Sequence, residues 1–226
     1  MDIKYNVSKL KNSKLEEVKD SVSVEEPLEM RLKYKKNNKW EVENISITMR
    51  TPGNDEDLIK GFLFNERIIK NINDIESIEY HGEVSGDYGL QNVIEATLNK
   101  IDNIDIGKLK KNFITNSSCG VCGKTSLDAI EVIKENKLDL SFPQIDEKII
   151  LQSPKLLMTE QSEFSKTGGI HASALIDLNG NVVAIREDVG RHNALDKLIG
   201  HSISKNILNP KKQFISCSGR LNFELV

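Results

Sequence analysis

The stretch GGIHASALIDLNGNVVAIREDVGRHNALDKLIG, residues 168–200, predicts a strand, a tight turn, a second strand and a helix in succession. Residues 170–176 alternate with the period of a half-buried strand. Asn179-Gly180 is typical of a hairpin turn, and residues 182–186 supply the return strand. A helix is expected from Asp188 or Gly190 to about Ser204. Its apolar face comprises Ala194, Leu195, Leu198 and Ile199.

Further helices are predicted in both halves of the chain. After Thr51-Pro52-Gly53, Asn54 is placed to cap a helix, and Gly61 inside that helix predicts close packing. Ser153-Pro154 has the signature of a second helix start, with an end at Gly168-Gly169. Helices are also predicted at residues 106–111 and 126–134, and another is expected after Arg220.

The remaining apolar runs predict strands. Residues 28–34 alternate, and residues 40–49 suggest one or two strands with a break near Glu43-Asn44. The other candidate strands are residues 75–81, 91–98 and 213–216. Strands and hairpins interspersed with helices predict an α/β or α+β fold with a mixed sheet flanked by helices.

We divide the chain into three parts on this pattern. Residues 1–23 are polar and are expected to be a flexible segment, frayed or helical. Residues 24–115 form an N-terminal antiparallel β subdomain. Residues 116–226 form an α/β core that begins at the cysteine pair.

Composition excludes several classes of protein. The 226 residues carry a formal net charge of −3, which argues against a nucleic-acid surface. The charged N-terminus lacks the apolar segment of a secretory signal, and no apolar run is long enough to span a bilayer. Three cysteines do not make a disulfide framework. The sequence therefore predicts a soluble, cytoplasmic protein.

The segment Ser-Ser-Cys-Gly-Val-Cys-Gly-Lys, residues 117–124, carries the most distinctive chemistry. Cys119 and Cys122 are close enough to share a disulfide or an electrophilic sulfur. The segment leads into a predicted helix N-terminus, where amide groups and Lys124 lower the pKa of a thiol. An accessible thiolate of this kind can accept a sulfur atom and hold it.

Three other interpretations of the cysteine pair stay open at this point. A structural zinc site needs two further ligands, and neither a second CxxC nor an HxxxH motif is present. A thioredoxin-like redox pair normally follows the first strand of a small βαβ unit rather than lying mid-chain. An inert buried pair conflicts with the flanking Ser, Gly and Lys residues.

A second dense region surrounds two histidines. Gly169 and His171 open the strand at residue 170, and the hairpin returns Arg186 and Asp188 to the same neighbourhood. Arg191 and His192 begin the next helix, where backbone amides and cations favour phosphate or pyrophosphate. Asp188 could instead accept from a purine amine or orient His192. The alternative is ordinary helix chemistry, in which Arg191 pairs with the acidic residues and His171 is structural.

Ser218-Gly219-Arg220 forms a third candidate site, again between a strand and a predicted helix. Cys217 precedes it at the end of a strand and is expected to belong to the core rather than to catalysis.

Together these motifs resemble the formate dehydrogenase accessory sulfurtransferase family (FdhD). The resemblance extends from about residue 24 to the end of the chain. The matching stretches are RTPGNDEDL with GFL at 50–63, SSCGVCGK at 117–124, GGIHASA at 168–174, REDVGRHNALDK at 186–197 and SGR at 218–220.

The resemblance implies a cytosolic homodimer that takes sulfur from a cysteine desulfurase as a persulfide. The sulfur goes to the molybdenum of a bis-molybdopterin guanine dinucleotide cofactor, which the catalytic subunit of formate dehydrogenase requires. Cys119 is the expected persulfide carrier and Cys122 its assistant. The expected cofactor-binding residues are Gly169, His171, Arg186, Asp188, Arg191, His192, Ser218, Gly219 and Arg220.

The family fold is similar to cytidine deaminase, but the zinc signature of that enzyme is absent here. Ser173 stands where the catalytic glutamate would follow His171, so no intrinsic metal is expected. Family members continue beyond Ser-Gly-Arg with a segment implicated in cofactor binding, whereas this chain ends at Val226. Two alternative functions are a non-catalytic chaperone for the cofactor and a zinc-dependent deaminase-like hydrolase.

Overall fold

The computed structural model describes residues 2–84, 88–99, 144–222 and 225. Within these ranges, nine strands form three sheets, and four helices flank the two larger sheets. The predicted mixed α+β class is confirmed. The expected helices at residues 106–111 and 126–134, and the expected boundary at residue 115, lie outside the described residues.

The N-terminal residues form a β-hairpin rather than the frayed or helical segment that their composition predicts. Strand β1 (Asp2–Lys11) pairs antiparallel with β2 (Lys14–Ser23). The connecting residues Asn12 and Ser13 have φ values of 49° and 62°, as a two-residue turn of matching twist requires. The Ser23 hydroxyl donates to the Thr167 hydroxyl at 2.9 Å and so joins the hairpin to the rest of the molecule.

The second sheet is mixed, which corrects the antiparallel arrangement expected for the N-terminal subdomain. It contains β3 (Glu26–Lys36), β4 (Lys39–Arg50), β5 (Ile75–His81) and β6 (Val93–Leu98) in the order β4-β3-β6-β5. Strand β6 lies parallel to β3, whereas the other two pairs are antiparallel. The chain reaches the far edge at β5 before it returns to the centre, and this order makes the central pair parallel.

The predicted break near Glu43-Asn44 is a bulge within one continuous strand. Met30 pairs with Ser46 while its neighbour Arg31 pairs with Asn44, so Ile45 is the extra residue on β4. Ile45 is 4% exposed and packs in the core, so the bulge adds a buried side chain without ending the strand.

Helix α1 (Asp55–Asn65) covers the inner face of this sheet. Its side chains Leu58, Ile59 and Leu63 are fully buried against Leu28 and other residues of the sheet. Asn54 does not cap the helix as predicted, because it adopts a left-handed conformation (φ 56°) and its side chain makes no cap hydrogen bond. The turn before the helix is instead clamped by Arg50, whose guanidinium binds both carboxylate oxygens of Asp55 at 3.1 and 2.9 Å.

Two glycines allow α1 to pack directly on helix α4 (Arg191–Ser204). A β-carbon on Gly61 would lie 1.8 Å from the backbone oxygen of Asp196, and one on Gly200 would lie 1.9 Å from that of Asp57. The close packing predicted at Gly61 is confirmed. This backbone contact joins the N-terminal and C-terminal halves of the described structure.

The single helix expected to start at Ser153-Pro154 and to end at Gly168-Gly169 is wrong in both its start and its continuity. Helix α2 runs from Glu147 to Glu160 with Asp146 as its N-cap, and α3 (Ser162–Thr167) follows separately. Pro154 lies inside α2, where it cannot donate to the carbonyl of Ile150. The Ser153 hydroxyl donates to that carbonyl at 2.9 Å, so the missing backbone bond is replaced.

The third sheet contains β7 (His171–Asp177), β8 (Val182–Asp188) and β9 (Gln213–Cys217) in the antiparallel order β8-β7-β9. The predicted strand, turn, strand and helix of residues 168–200 are confirmed. The helix expected after Arg220 is absent from residues 218–222, which are irregular. Among the described residues, no helix is both long and apolar enough to cross a membrane.

Candidate functional site

The candidate site lies at one end of the third sheet. Strand β7 begins there, whereas its two antiparallel neighbours β8 and β9 end there, and α4 also starts at this end. This topology brings three separate sequence motifs together: residues 169–171, residues 186–192 and residues 218–220.

Ser218 connects the ends of β7 and β9. Its hydroxyl accepts from the backbone N–H of Ala172 at 2.9 Å and lies 3.3 Å from Nδ1 of His171. Its own N–H donates to the carbonyl of Ala172 at 2.9 Å. Because the hydroxyl already accepts a bond, it can donate its proton to Nδ1 and leave Nε2 of His171 as a donor.

Gly219 lies between two of the predicted site residues. A β-carbon at Gly219 would come within 3.1 Å of Nδ1 of His171 and 3.4 Å of Cδ of Arg191. Glycine therefore lets the backbone approach both side chains closely. Gly169 and Arg220 are exposed at the same end of the sheet, and the ring nitrogen Nε2 of His192 lies 3.1 Å from Nδ2 of Asn222.

Asp188 is placed differently from the other predicted residues, since it is fully buried beneath the site. One carboxylate oxygen binds Nζ of Lys197 at 2.6 Å and the backbone N–H of Thr51 at 3.1 Å. The other accepts from the N–H of Gly190 at 2.9 Å and from Asn193 at 3.0 Å. Four donors thus occupy the carboxylate, so Asp188 orders the start of α4 and does not face a ligand.

A cleft of about 300 Å³ lies beside this network. Its walls include the turn at residues 51–54, residues 185–187 of β8, Lys197 and the junction of α2 with α3. Glu187 caps α3 by accepting from the N–H groups of Glu163 at 3.0 Å and Phe164 at 2.9 Å. Sequence reasoning gave no role to Thr51 or Lys197 and did not foresee that Glu187 caps α3, because the partners of these residues are distant in the chain.

Arg186 reaches the cleft from β8 and is held by two residues on the packed helices. Its guanidinium donates to Oδ2 of Asp57 at 3.0 and 2.9 Å, and also to Nδ1 of His201. Burial lowers the pKa of His201, and the neighbouring charge of Arg186 lowers it further, partly opposed by Asp57. His201 is therefore neutral at pH 7 and accepts the bond from Arg186.

The His201 contact predicts a pH dependence of stability. A base with a lowered pKa in the folded state binds its proton more readily when unfolded, so stability falls as pH drops below about 6.5. We expect the urea midpoint to fall between pH 7 and pH 5 in the natural protein. The fall should be smaller in His201→Asn, which keeps an acceptor near Nδ1 but does not titrate. An equal fall in both proteins would exclude His201 as the cause.

The described residues show no metal site or reactive thiol. No group of three or more His, Cys, Asp or Glu side chains is arranged to hold a metal in residues 2–84, 88–99 and 144–222. Burial raises the pKa of the Cys217 thiol, and the Ser173 hydroxyl at 3.4 Å opposes this only partly. Cys119 and Cys122 lie outside the described residues.

Comparisons with known proteins agree with this arrangement of motifs. A model of the FdhD/NarQ family matches residues 23–226. Sulfur carrier protein FdhD of Picrophilus torridus is 41% identical over 209 residues, which are 92% of this chain and 74% of that protein. The protein of the same name from Sulfolobus acidocaldarius is 37% identical over 223 residues, covering 99% of this chain and 78% of the relative.

A solved structure is similar to the fold. It is a crystal structure from Desulfotalea psychrophila of a protein assigned as a formate dehydrogenase accessory protein. It has a TM-score of 0.61 and 20% identity, and the alignment covers all of this chain and 77% of that one. At this identity the structure supports the fold, while the family model and the relatives above 30% identity establish the family. The chain belongs to the FdhD/NarQ family.

Proposed function

We propose that this protein is a cytoplasmic sulfur carrier in the maturation of formate dehydrogenase. The observation that carries the proposal is a CxxC pair in a chain that aligns along at least 91% of its length with relatives named sulfur carrier protein. The sulfur donor is a cysteine desulfurase. The recipient is the molybdenum of a bis-molybdopterin guanine dinucleotide cofactor, bound as a substrate.

Sulfur loading requires a thiolate and no outside oxidant. The Cys119 thiolate attacks the terminal sulfur of the desulfurase persulfide, a new S–S bond forms on Cys119, and the donor cysteine leaves as a thiolate. Cys122 assists release: its thiolate attacks the Cys119 sulfur, a disulfide forms, and the carried sulfur leaves as hydrosulfide. The two thiols supply both electrons for that reduction.

The cofactor is held at the end of the third sheet, where Arg191 and Arg220 supply positive charge. His171, Arg191 and Gly219 meet there, and Ser218 fixes the histidine ring. The N-terminus of α4 adds backbone N–H groups that suit the pyrophosphate of a dinucleotide. The other residues proposed to contact the cofactor are Gly169, His192, Arg220 and, through the cleft, Arg186. Asp188 supports them from below.

A second function is a chaperone that holds the cofactor and docks the dehydrogenase without moving sulfur. The residues at the N-terminus of α4 favour binding of the cofactor under either function. Transfer of label to the protein separates the two. A homodimer is also proposed, and analytical ultracentrifugation tests it independently.

The cysteine proposal predicts complete dependence of sulfur loading on the CxxC pair. The protein is incubated with a cysteine desulfurase and ³⁵S-cysteine, and bound label is measured before and after dithiothreitol. We expect thiol-labile label on the natural protein, and at most about a tenth of it on the Cys119→Ala, Cys122→Ala variant, because only a thiolate holds sulfane sulfur.

Cys217→Ala is the matched control and should retain full label, since the Cys217 thiol is partly buried with a raised pKa. Undiminished label on the double variant would overturn the sulfur-carrier proposal. If the natural protein takes up no label but copurifies with the cofactor, the result would support the chaperone function instead.

A further inference from the structure

The outer face of the β3–β4 hairpin carries a row of four apolar side chains on β4. Two of them are at even-numbered positions and two are at odd-numbered positions. Trp40 and Val42 lie opposite Lys35 and Lys33, whereas Ile47 and Met49 lie opposite Glu29 and Pro27. A regular strand would place the even and odd residues on different faces. The bulge at Ile45 changes the parity, so all four point outward, away from α1 and the core.

These four side chains are exposed despite being apolar. Their exposed fractions are 46% for Trp40, 50% for Val42, 53% for Ile47 and 45% for Met49. Strand β4 is also the edge of its sheet. Asn44, opposite Arg31, separates the two halves of this row. Four exposed apolar side chains along one edge strand are typical of an interaction surface rather than of scattered surface residues.

A row of cations runs beside the apolar row. Residues 31–40 contain five Lys or Arg and no acidic residue, although the whole chain carries a net charge of −3. Arg31, Lys33 and Lys35 lie on the outer face of β3, and Lys36 and Lys39 flank the turn. The Nζ atoms of Lys33 and Lys35 lie 5.5 and 4.7 Å from the centre of the Trp40 ring.

The nearby carboxylates neutralise only the part of this row that is distant from the turn. Glu41 lies on the inner face, where it accepts from the Tyr34 hydroxyl at 2.9 Å, and Glu43 lies opposite the buried Leu32. On the outer face, Glu29 pairs with Arg31 at 2.7 Å, and Glu95 of β6 lies 3.9 Å from Lys33. Lys35, Lys36 and Lys39 thus concentrate positive charge at the tip of the hairpin.

We propose that this face of the hairpin docks an acidic amphipathic helix of a partner protein. Adjacent strands are about 4.8 Å apart and a helix is about 10 Å wide, so one helix lying along the hairpin contacts both rows. Its apolar residues cover the β4 row, and its carboxylates face the lysines of β3 and the turn. The proposal is independent of the sulfur-carrier function.

A protein partner fits better than a nucleic acid. Apolar side chains occupy half of the face, and phosphate groups make no favourable contact with them. The Trp40 ring is approached by two ammonium groups, which occupy a surface that a base would need for stacking. Tight binding of a nucleic acid at this face would therefore contradict the proposal.

Trp40 is the only tryptophan of the chain and reports binding directly. Three tryptophan-free synthetic peptides of about five helical turns are titrated into the full-length protein. One is an amphipathic helix with a glutamate face, one has lysines in place of the glutamates, and one is the acidic peptide with a scrambled order. A short single-stranded RNA is the fourth probe.

We expect only the acidic helix to shift Trp40 emission to shorter wavelength, with an affinity that weakens as salt is raised. Lys33→Glu, Lys35→Glu should weaken this binding by about tenfold or more, because it reverses two charges on the outer face beside Trp40. Lys211→Glu, Lys212→Glu makes the same change in net charge on an exposed segment elsewhere and should have little effect.

Three results would overturn the proposal: equal affinity for the acidic and scrambled peptides, an equal effect of the two charge-reversal variants, or tighter binding of the RNA. Far-UV circular dichroism of each variant shows whether the fold is intact before these affinities are compared.

Discussion

Replacement of Gly61 by alanine is expected to lower the free energy of unfolding by about 3 kcal/mol, at the upper end of the usual cost of overpacking. Helix propensity alone predicts the opposite sign, since alanine is favoured over glycine by about 1 kcal/mol in a helix. The steric effect dominates because the new methyl group would lie 1.8 Å from the backbone oxygen of Asp196. Neither atom belongs to a side chain that can rotate away, so α1 and α4 must separate.

Urea unfolding and calorimetry measure this effect. At this chain length, a loss of about 3 kcal/mol corresponds to a fall in Tm of about 6–12 °C. Lys60→Ala, on the adjacent and more accessible position of α1, is the matched control and should change stability by less than about 0.5 kcal/mol. A Gly61→Ala protein as stable as this control would mean that the two helices do not touch through their backbones.

Gly200→Ala tests the same contact from the other helix, where the added carbon would lie 1.9 Å from the backbone oxygen of Asp57. The two substitutions should not be additive, because helices already forced apart by one methyl group accommodate the second at a lower cost. The separation also moves the start of α4, which carries Arg191 and His192. We therefore expect the folded fraction of the double variant to bind guanine nucleotide more weakly than the natural protein does.

Local patterns in the sequence predicted those parts of the fold whose determinants are local. The strand, Asn-Gly turn, strand and helix of residues 168–200 combine a clear period with turn chemistry, and the structure reproduces them. Gly61 signalled close packing because a glycine inside a helix is otherwise unfavourable. Its partner Gly200 lies inside a predicted helix as well, but nothing in the sequence indicates that the two glycines meet.

Elsewhere a local signal was misread or outweighed. Ser-Pro at residues 153–154 resembled a helix start, but Asp146 caps the helix seven residues earlier and Ser153 replaces the bond that Pro154 cannot make. The N-terminal residues are highly charged, yet Val7 and Val18 pair across a hairpin whose Asn-Ser turn is a weak sequence signal. The parallel pairing of β3 with β6 depends on chain order in space, which no local pattern encodes.

The predicted site residues divide in the same way. His171, Arg191, Ser218 and Gly219 converge, as the resemblance implied, because β7, β9 and α4 meet at one end of a sheet. Asp188 stands in the same sequence motif but points into the interior. Its role became clear only from Thr51 and Lys197, which contact it from other elements. A dense motif thus combines residues that face a ligand with residues that hold them in place.

Asp188→Asn is expected to destabilise the protein by about 3–5 kcal/mol, the usual cost of leaving one member of a buried ion pair without its partner. Lys197 is 1% exposed and Asp188 is fully buried, so water cannot replace the lost carboxylate. The amide is also a poor substitute for geometric reasons. Both carboxylate oxygens accept from two donors, so an amide nitrogen at either position would face donors.

A double-mutant cycle separates the charge pair from the surrounding hydrogen bonds. Lys197→Met alone leaves a buried carboxylate with three neutral donors and should cost about as much as Asp188→Asn. The variant with both changes contains no buried charge, so its loss should be clearly smaller than the sum of the two. Glu56→Gln, which breaks the exposed pair with Lys60, is the control and should cost less than about 1 kcal/mol.

The outcome of this cycle decides what Asp188 does. Strong coupling with Lys197, together with nucleotide affinity that falls only as far as folding is lost, would show that the residue is a support. A stable Asp188→Asn protein with selectively weakened nucleotide binding would contradict that assignment and return Asp188 to the ligand-contacting residues. The buried network predicts the first result, because both oxygens of the carboxylate are already bound by the protein, and two of their four donors, Gly190 and Asn193, belong to the start of α4.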